Sequence, residues 1–304
     1  MYVGYLTHHI NSKNVNSWLS LNKIIKVANG ISSLFSMFIF IFVDVDVPVL
    51  FTDLENLQYL DVRKITANPS TILQKLTSCH DLNPWNKNIV VYSPHSEISS
   101  QIIGIGRVHS MVCLSLEEIQ YLTSENLEFF IKHDDGQRTG EFDFFQSDIV
   151  LLGPSKVGKT SISMHLACRG YKVLNLPIIY SDIAQNSHSI EKTYPTLHRI
   201  IHNTADREEI LVVALTMNAK RNKELRMQRE LPAHETEYVD ISRIAEEMRY
   251  LRDFAIEHHL PVLECCGSSG SALSDRVSEF WQERKNDYEY KSSSVDQSGI
   301  GAMF

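Results

Sequence analysis

One segment, residues 147–179, limits the possible folds of this chain more than any other. It reads SDIVLLGPSKVGKTSISMHLACRGYKVLNLPII. An apolar run typical of a β-strand precedes a glycine-rich loop, and the run after the loop is typical of a helix that ends at Gly170. A second β-type run completes a strand–loop–helix–strand unit of about thirty residues, the size of a right-handed parallel crossover. The segment therefore predicts an α/β fold with parallel strands.

The glycine-rich loop has the pattern Gly-x-x-x-x-Gly-Lys-Thr, which is typical of phosphate binding. Its two glycines permit close approaches that a Cβ would block, so that successive N–H groups converge on phosphate oxygens at the start of the helix. We expect Lys159 to neutralise the terminal phosphate and the Thr160 hydroxyl to bind magnesium. The predicted cofactor-binding residues are Gly153, Pro154, Ser155, Lys156, Val157, Gly158, Lys159 and Thr160.

Nucleotide-hydrolysing proteins with such a loop usually place an acidic residue at the end of a second strand, where it helps to hold magnesium. The candidate strand here, ILVVALT (residues 210–216), ends without an acid. The sequence also lacks the Asn-Lys-x-Asp motif that reads guanine, because Asn222-Lys223-Glu224-Leu225 has the wrong fourth residue. A GTPase is therefore not expected.

The best acidic candidate precedes the loop, in KHDDGQ (residues 132–137). Asp134 and Asp135, next to His133, are able to bind magnesium or to act as a base on a hydroxyl. Solvated acids on a turn are the alternative, which composition alone favours. Together with Lys159, these three residues are the predicted catalytic residues.

Further strands and helices are predicted on both sides of the loop. After it, EEILVVALT and LPVLECC are strands, and a helix follows Asp240 as N-cap. Before it, residues 88–93 and 100–106 are predicted strands, and an amphipathic helix starts near Ser115. The predicted domains are a smaller diverged α/β region over 1–120, the phosphate-loop domain over 121–285 and a flexible tail over 286–304.

Two polar segments after the loop each have two interpretations. A basic helix carries Lys220, Arg221, Arg226 and Arg229. It is either an arginine clamp on phosphate or on a partner, or a solvated face with glutamate companions. The run Gly267-Ser268-Ser269-Gly270-Ser271 is either a second anion site or, as we favour, a helix N-cap.

Composition narrows the possible partners and the compartment. A net charge of −8 and a pI near 5.9 argue against a nucleic-acid binder. The five cysteines, Cys79, Cys113, Cys168, Cys265 and Cys266, lack metal-ligand spacing and are expected to be reduced in the cytoplasm. The apolar run within 31–51 is too short for a membrane span and is interpreted as a buried strand.

The two motifs, KHDDGQ and the loop about fifteen residues later, resemble one family: the regulatory proteins of phosphoenolpyruvate synthase and of pyruvate, phosphate dikinase. The resemblance continues through ALTMNAKRNKELRMQRE and EYVDISRIAEEMRYLRDFAIEHHLPVLECCGSSGSAL, and covers roughly 122–283. The fold that it implies is α/β and P-loop kinase-like, a mainly parallel sheet flanked by helices.

The resemblance also implies an activity. Proteins of this family use ADP to phosphorylate a threonine in the active centre of the target enzyme, and they reverse this with inorganic phosphate, releasing pyrophosphate. Carried over to this chain, the resemblance implies that residues 153–160 bind ADP together with Mg²⁺. The implied partner is either of the two target enzymes, and the implied assembly is a homodimer.

The chain departs from the family pattern in two places. Lys156, Val157 and Ser161 replace the loop's usual Arg-Thr and Pro, and a lysine at 156 loses a bidentate phosphate contact. The first 120 residues lack the family's Ser-Asp-x-Thr-Gly turn. The alternatives are an ATP-using kinase of a small metabolite and a binding module that keeps the nucleotide loop without catalysis.

Overall fold

The structure is a computed structural model, in which a four-stranded parallel sheet carries the phosphate loop. It describes residues 2–4, 37–41, 88–92, 103–104, 112–115, 118, 121–133, 141–179, 190–203, 209–227 and 236–298. Predictions that concern Cys79, Asp134, Asp135 and Arg229 lie outside these residues.

Two parallel sheets are described, and the second carries the loop. The strands of the first sheet are β1 (Tyr2–Gly4), β2 (Met37–Ile41), β3 (Asn88–Tyr92) and β4 (Val112–Ser115), in that order. The strands of the second are β5 (Ile149–Gly153), β6 (Val173–Pro177), β7 (Leu211–Thr216) and β8 (Val262–Glu264), in the order β6-β5-β7-β8. All pairings are parallel, which confirms the α/β fold class.

Helices connect and cover these strands. They are α1 (Ser124–His133), α2 (Glu141–Phe145), α3 (Lys159–Ala167), α4 (Ile190–Thr193), α5 (Pro195–His202), α6 (Ala219–Met227), α7 (Ile241–Glu257) and α8 (Gly270–Ser298), with a 3₁₀ turn at Thr236–Val239. Two predicted helix boundaries are confirmed. Asp240 caps α7 by accepting from the Arg243 N–H, and Gly170 follows α3 in the left-handed region (φ 94°).

The strand order places the loop at a topological switch point, where the side on which the next strand is added reverses. From β5 the chain crosses to β6 on one side and then to β7 on the other, so β5 lies between the two later strands. Crevices that bind ligands form at the carboxyl ends of strands where the order reverses in this way. The phosphate loop follows β5 at this point.

The sheet is covered on both faces by apolar side chains, because alternate residues of each strand point to opposite sides. Val150 and Leu152 of β5 face one cluster, to which α5 and α7 contribute. Ile149 and Leu151 face the other, which α3 and α8 complete. Every residue of β5 and β7 is buried, as expected of a parallel sheet covered on two faces.

The first half only partly follows the predictions. β3 confirms the strand predicted over 88–93, and β2 forms a strand inside the apolar run at 31–51. The strand predicted over 100–106 is wrong at its centre, because residues 103–104 are helical. The helix predicted from Ser115 is interrupted before Ser124, where the Thr123 hydroxyl accepts from the Asn126 N–H at 3.1 Å and starts α1.

Helix α8 extends to Ser298, through most of the segment for which the sequence predicted a flexible tail. The segment is polar, but it contains neither glycine nor proline between 271 and 298, so nothing in its backbone chemistry ends the helix. The domain boundaries at 120 and 285 stay predictions.

Two smaller predictions concern cysteines and membranes. Four of the five cysteines lie in described positions, Cys113, Cys168, Cys265 and Cys266, and none of these four forms a disulfide. Across the described parts of the chain, we find no helix with the length and apolar character that crossing a bilayer requires.

Glu118 joins the first half of the chain to the phosphate-loop domain. Its Oε1 accepts hydrogen bonds from His165 Nδ1 of α3 (2.9 Å) and from the Ser271 hydroxyl of α8 (3.0 Å). Its Oε2 accepts from the Ser115 N–H at 2.8 Å. Burial raises the pKa of this carboxyl, but the His165 and serine contacts outweigh burial and lower the pKa to about 2.

Candidate active site

The phosphate loop is held in a conformation that requires its glycines. A Cβ on Gly153 would lie 2.7 Å from Val157 Cγ1 and 3.2 Å from the Leu215 carbonyl oxygen. Gly158 has φ 109°, in the left-handed region, and Lys156 adopts φ 62° without being glycine. The pattern therefore predicted the two positions where a side chain does not fit.

Val157 attaches the loop to the hydrophobic core. Its side chain is buried in the core cluster on the α3 side of the sheet. Val157 was predicted to bind the cofactor, and because its side chain is buried, only its backbone can contact a ligand. Pro154 has no N–H and contributes its carbonyl instead, which accepts from Lys159 Nζ at 2.8 Å.

Lys159 is the first residue of α3, and its ammonium group lies over the loop. Nζ also donates to the Gly153 carbonyl at 2.7 Å, so the ammonium group is bound to the carbonyls of the first two loop residues. Below it, the Ser163 hydroxyl donates to the Lys159 carbonyl at 2.9 Å and receives a hydrogen bond from Asn175 Nδ2. Asn175 is on β6, so the neighbouring strand supports the first turn of α3.

Thr216 ends β7, in the position where an acidic residue was sought and not found. The structure places an acid one strand further, because Glu264 of β8 is opposite Thr216 in the register. The Thr216 hydroxyl donates to Glu264 Oε2 at 3.0 Å, and Arg252 Nη2 donates to the same oxygen at 2.9 Å. Sequence reasoning missed this carboxylate, which lies at the carboxyl edge of the sheet where the loop also lies.

The next residue, Cys265, lies near the lysine. Burial raises the pKa of its thiol to about 12, Glu264 and Cys266 raise it too, and the positive charge of Lys159 opposes them. The thiol is therefore protonated at neutral pH and is not a nucleophile. Its contribution is apolar packing beside the site.

His133 is the one residue of the predicted His-Asp-Asp set that the structure describes. It ends α1 and is buried against the Phe129 ring, with ring centroids 4.4 Å apart, and its Nε2 is 3.4 Å from Asp143 Oδ1. Burial lowers its pKa, and the Asp143 carboxylate acts in the opposite direction. The catalytic role of His133 stays a prediction, as do those of Asp134 and Asp135.

The basic helix α6 fits neither of its two interpretations as a whole. Arg221 is exposed and pairs with Glu224 at 2.9 Å, as a solvated face predicts. Arg226 is instead only 2% exposed and forms an ion pair with Glu247, which is also buried. Arg226 therefore does not act as a clamp on phosphate or on a partner.

The serine-rich run before α8 is an N-cap, as favoured. The Ser269 hydroxyl accepts from the Ala272 N–H at 3.1 Å. Gly270 allows α8 to approach α3 closely, because a Cβ there would lie 2.0 Å from the Ser161 hydroxyl.

Comparison with known proteins places this site in a family. A family model described as Kinase/pyrophosphorylase matches residues 94–272, more than half of the chain. The chain belongs to the kinase/pyrophosphorylase family. The match spans both KHDDGQ and the phosphate loop, so the resemblance that these motifs carried is confirmed.

Relatives from several bacteria share this part of the chain. A protein of Rhizorhabdus wittichii is 28% identical over 70% of this chain and 72% of its own length. One from Novosphingobium aromaticivorans is 27% identical over 75% of this chain and 80% of its own length. One from Geotalea uraniireducens is 33% identical over 45% of this chain and 46% of its own length. All three carry the name pyruvate, phosphate dikinase regulatory protein.

Proposed function

We propose that this member of the kinase/pyrophosphorylase family is a bifunctional regulator of pyruvate, phosphate dikinase or of phosphoenolpyruvate synthase. In one direction, a threonine hydroxyl of the target attacks the β-phosphorus of ADP, the bond to the bridging oxygen breaks, and AMP leaves. In the other, inorganic phosphate attacks the phosphothreonine phosphorus. This second reaction restores the hydroxyl and forms pyrophosphate.

The observation that carries this proposal is the geometry of residues 153–160 within the matched family segment. Gly153 and Gly158 adopt the close approach and the left-handed conformation of a phosphate cradle, and the Lys159 ammonium lies above it. Phosphoryl transfer is mostly positioning and charge neutralisation, which such a loop supplies in either direction. The names of the relatives support the choice of target.

The proposal gives separate roles to Lys159 and to the acidic pair that precedes the loop. Lys159 neutralises the phosphate being transferred, as a point charge within reach of the loop. Asp134 or Asp135 accepts the proton of the threonine hydroxyl, and His133 lies directly before them in the sequence.

The residues at this edge of the sheet also fit a magnesium ion bound with the nucleotide. The Thr160 hydroxyl in the first turn of α3 and the Glu264 carboxylate are hard oxygen donors of the kind that magnesium prefers. When bound, the ion would neutralise negative charge on the phosphates. The Thr216 hydroxyl, which is buried, donates to this carboxylate and holds it at the end of β8.

The contribution of Glu264 is tested by Glu264→Gln, which keeps the shape and removes the charge. We expect the magnesium concentration for half-maximal transfer to rise about tenfold, since one charged donor is lost. Glu279→Gln is the matched control, because Glu279 is also an exposed partner of an arginine but belongs to α8. An unchanged magnesium requirement in Glu264→Gln would remove this residue from the site.

The function itself is tested with purified dikinase and purified synthase. Each target is incubated with the protein and ADP, and its activity and the phosphorylation of its active-centre threonine are followed. Added inorganic phosphate should then restore activity with one pyrophosphate released per threonine. Inactivation of neither target would overturn the proposal, and inactivation of one names the partner. The homodimer is part of the proposal and is tested by sedimentation of the same samples.

A further inference from the structure

Ser155, inside the phosphate loop, is held from two sides by residues far away in the sequence. Asn222 of α6 donates from Nδ2 to the Ser155 carbonyl at 2.9 Å. The Tyr238 hydroxyl, on the 3₁₀ turn before α7, shares a hydrogen bond of 2.7 Å with the Ser155 hydroxyl. Both the backbone and the side chain of this loop residue are therefore restrained.

Both restraints depend on one buried arginine. Arg226 Nε donates to Asn222 Oδ1 at 2.7 Å, and its Nη1 donates to the Tyr238 carbonyl at 3.0 Å. The guanidinium carbon lies 4.9 Å from the centroid of the Tyr238 ring. Nη2 pairs with the buried carboxylate of Glu247. The arginine charge is thus neutralised inside the protein, and its donors set the positions of Asn222 and Tyr238.

Arg226 also sets which way the Asn222 amide points. A guanidinium only donates, so the amide oxygen must face Arg226 and the amide NH₂ must face the Ser155 carbonyl. The Ser155–Lys156 peptide is planar and trans, so the Lys156 N–H points away from Asn222, opposite the carbonyl. Lys156 itself has φ 62°, a conformation that a non-glycine residue keeps only when its surroundings hold it.

We propose that Asn222 and Tyr238, fixed by the Arg226–Glu247 pair, are positioning residues that preset the phosphate loop for a diphosphate. They hold the Ser155–Lys156 peptide with its carbonyl turned towards α6 and its N–H turned to the opposite side. A loop ordered before binding loses less conformational entropy when the ligand arrives. The proposal rests on the proposed function only in that the loop binds a diphosphate.

Two conservative variants separate the contacts. Asn222→Asp keeps an oxygen for Arg226 and replaces the NH₂ that faces Ser155. Tyr238→Phe removes one hydroxyl and keeps the ring over Arg226. Binding of inorganic pyrophosphate and of ADP is measured by calorimetry, and thermal unfolding is measured on the same samples. We expect affinity for both ligands to fall about tenfold in Asn222→Asp and about threefold in Tyr238→Phe.

The controls match the chemistry of each change. Asn218→Asp adds the same charge at the N-cap of the same helix, where either side chain accepts from the N–H groups of Lys220 and Arg221. Tyr171→Phe removes a hydroxyl from a ring that packs on Trp281. Repeating the titrations at about 0.05 M and about 0.5 M salt separates a simple charge effect, which salt screens, from a lost restraint, which it does not.

Each outcome decides the proposal. Weaker diphosphate binding with an unchanged unfolding midpoint supports it. Unchanged affinity in both variants would overturn it, as would a loss of affinity that only follows a loss of stability, or a wild type that binds neither pyrophosphate nor ADP. If the wild type binds ADP, the two variants weaken that binding, and no phosphate is transferred to either target, the proposed function fails and the positioning role stands.

Discussion

The sequence predicted the phosphate-loop residues that are needed for their own backbone conformation. It did not predict the distant residues that contact the loop. Gly153 and Gly158 are needed because of their own backbone positions, and a short pattern records such needs. The partners of Ser155 are 67 and 83 residues away, at Asn222 and Tyr238. No spacing in the chain marks a contact of that range, so only the fold shows it.

Replacing Lys159 with alanine tests the charge of the loop. We expect both ADP-dependent phosphorylation and phosphate-dependent reactivation to fall at least about a hundredfold, because one preorganised charge on the transferred group is lost in both directions. The unfolding midpoint should change little, since Nζ donates to the carbonyls of the loop residues Gly153 and Pro154.

Lys285→Ala is the matched control, because Lys285 is an exposed lysine over the Trp281 ring on α8. It should leave both reactions unchanged. Retention of either reaction by Lys159→Ala would contradict the role given to this residue.

Replacing Gly153 with alanine tests the close approach at the start of the loop. The added Cβ would meet Val157 and the Leu215 carbonyl at distances below normal contact. We expect the free energy of unfolding to fall by about 1–3 kcal/mol, as overpacking does, and ADP binding to weaken with it.

Urea denaturation and ADP titration measure both effects. Gly104→Ala is the control, because nothing lies within 4 Å of the added Cβ and the residue is helical. It should be neutral or slightly stabilising. Equal stability in the two variants would show that the loop relaxes around the methyl group.

At the scale of elements, the sequence predicted which segments are strands and helices better than it predicted what their polar residues do. A basic helix was expected over 219–230, and α6 confirms it over 219–227. The sequence left open whether its basic residues form a clamp or a solvated face, and the structure shows Arg221 on the surface and Arg226 buried. Arg226 is buried because α7 brings Glu247 to one side of α6. The composition of α6 alone does not reveal a tertiary contact of this kind.

Glu118 joins three elements and makes stability depend on pH. Its pKa is lowered from 4.5 to about 2, so the carboxylate stabilises the fold above pH 4.5, and this stabilisation is lost as pH falls towards 2. The shift corresponds to about 3 kcal/mol at most. We expect Glu118→Gln to be less stable than the wild type at pH 7 and equal to it near pH 2.

Denaturation in urea at several pH values between 7 and 2 checks this dependence. Glu279→Gln, which changes an exposed carboxylate on α8, should run parallel to the wild type throughout. A constant difference between Glu118→Gln and the wild type across this range would contradict the account.

For the whole molecule, secondary structure could be predicted better in the second half of the chain than in the first, because the two halves differ in their patterns of apolar and polar residues. In the second half, strands buried on both faces give continuous apolar runs, and turns are marked by glycine and by a capping aspartate at 240. The parallel sheet followed from these signals. In the first half, polar and apolar residues mix without a clear period, and segments such as 100–106 suggested a strand where two residues are helical.

The carboxylate of Glu264, at the end of β8, shows the same limit of sequence-based prediction. Glu264 was not predicted, because the sequence does not show which strand lies beside β7. Once β8 is seen to pair with β7, Glu264 and Thr216 are direct neighbours. Which strands are adjacent is decided by the packing of the whole sheet.

The central claim is that this phosphate loop binds ADP and that the β-phosphate of ADP is transferred to a threonine of the target protein. The most direct test compares β-labelled ADP with γ-labelled ATP as donors to purified pyruvate, phosphate dikinase and phosphoenolpyruvate synthase. The account predicts label on one active-centre threonine from ADP and none from ATP. Label from ATP alone, or no label on either target from ADP, would contradict it.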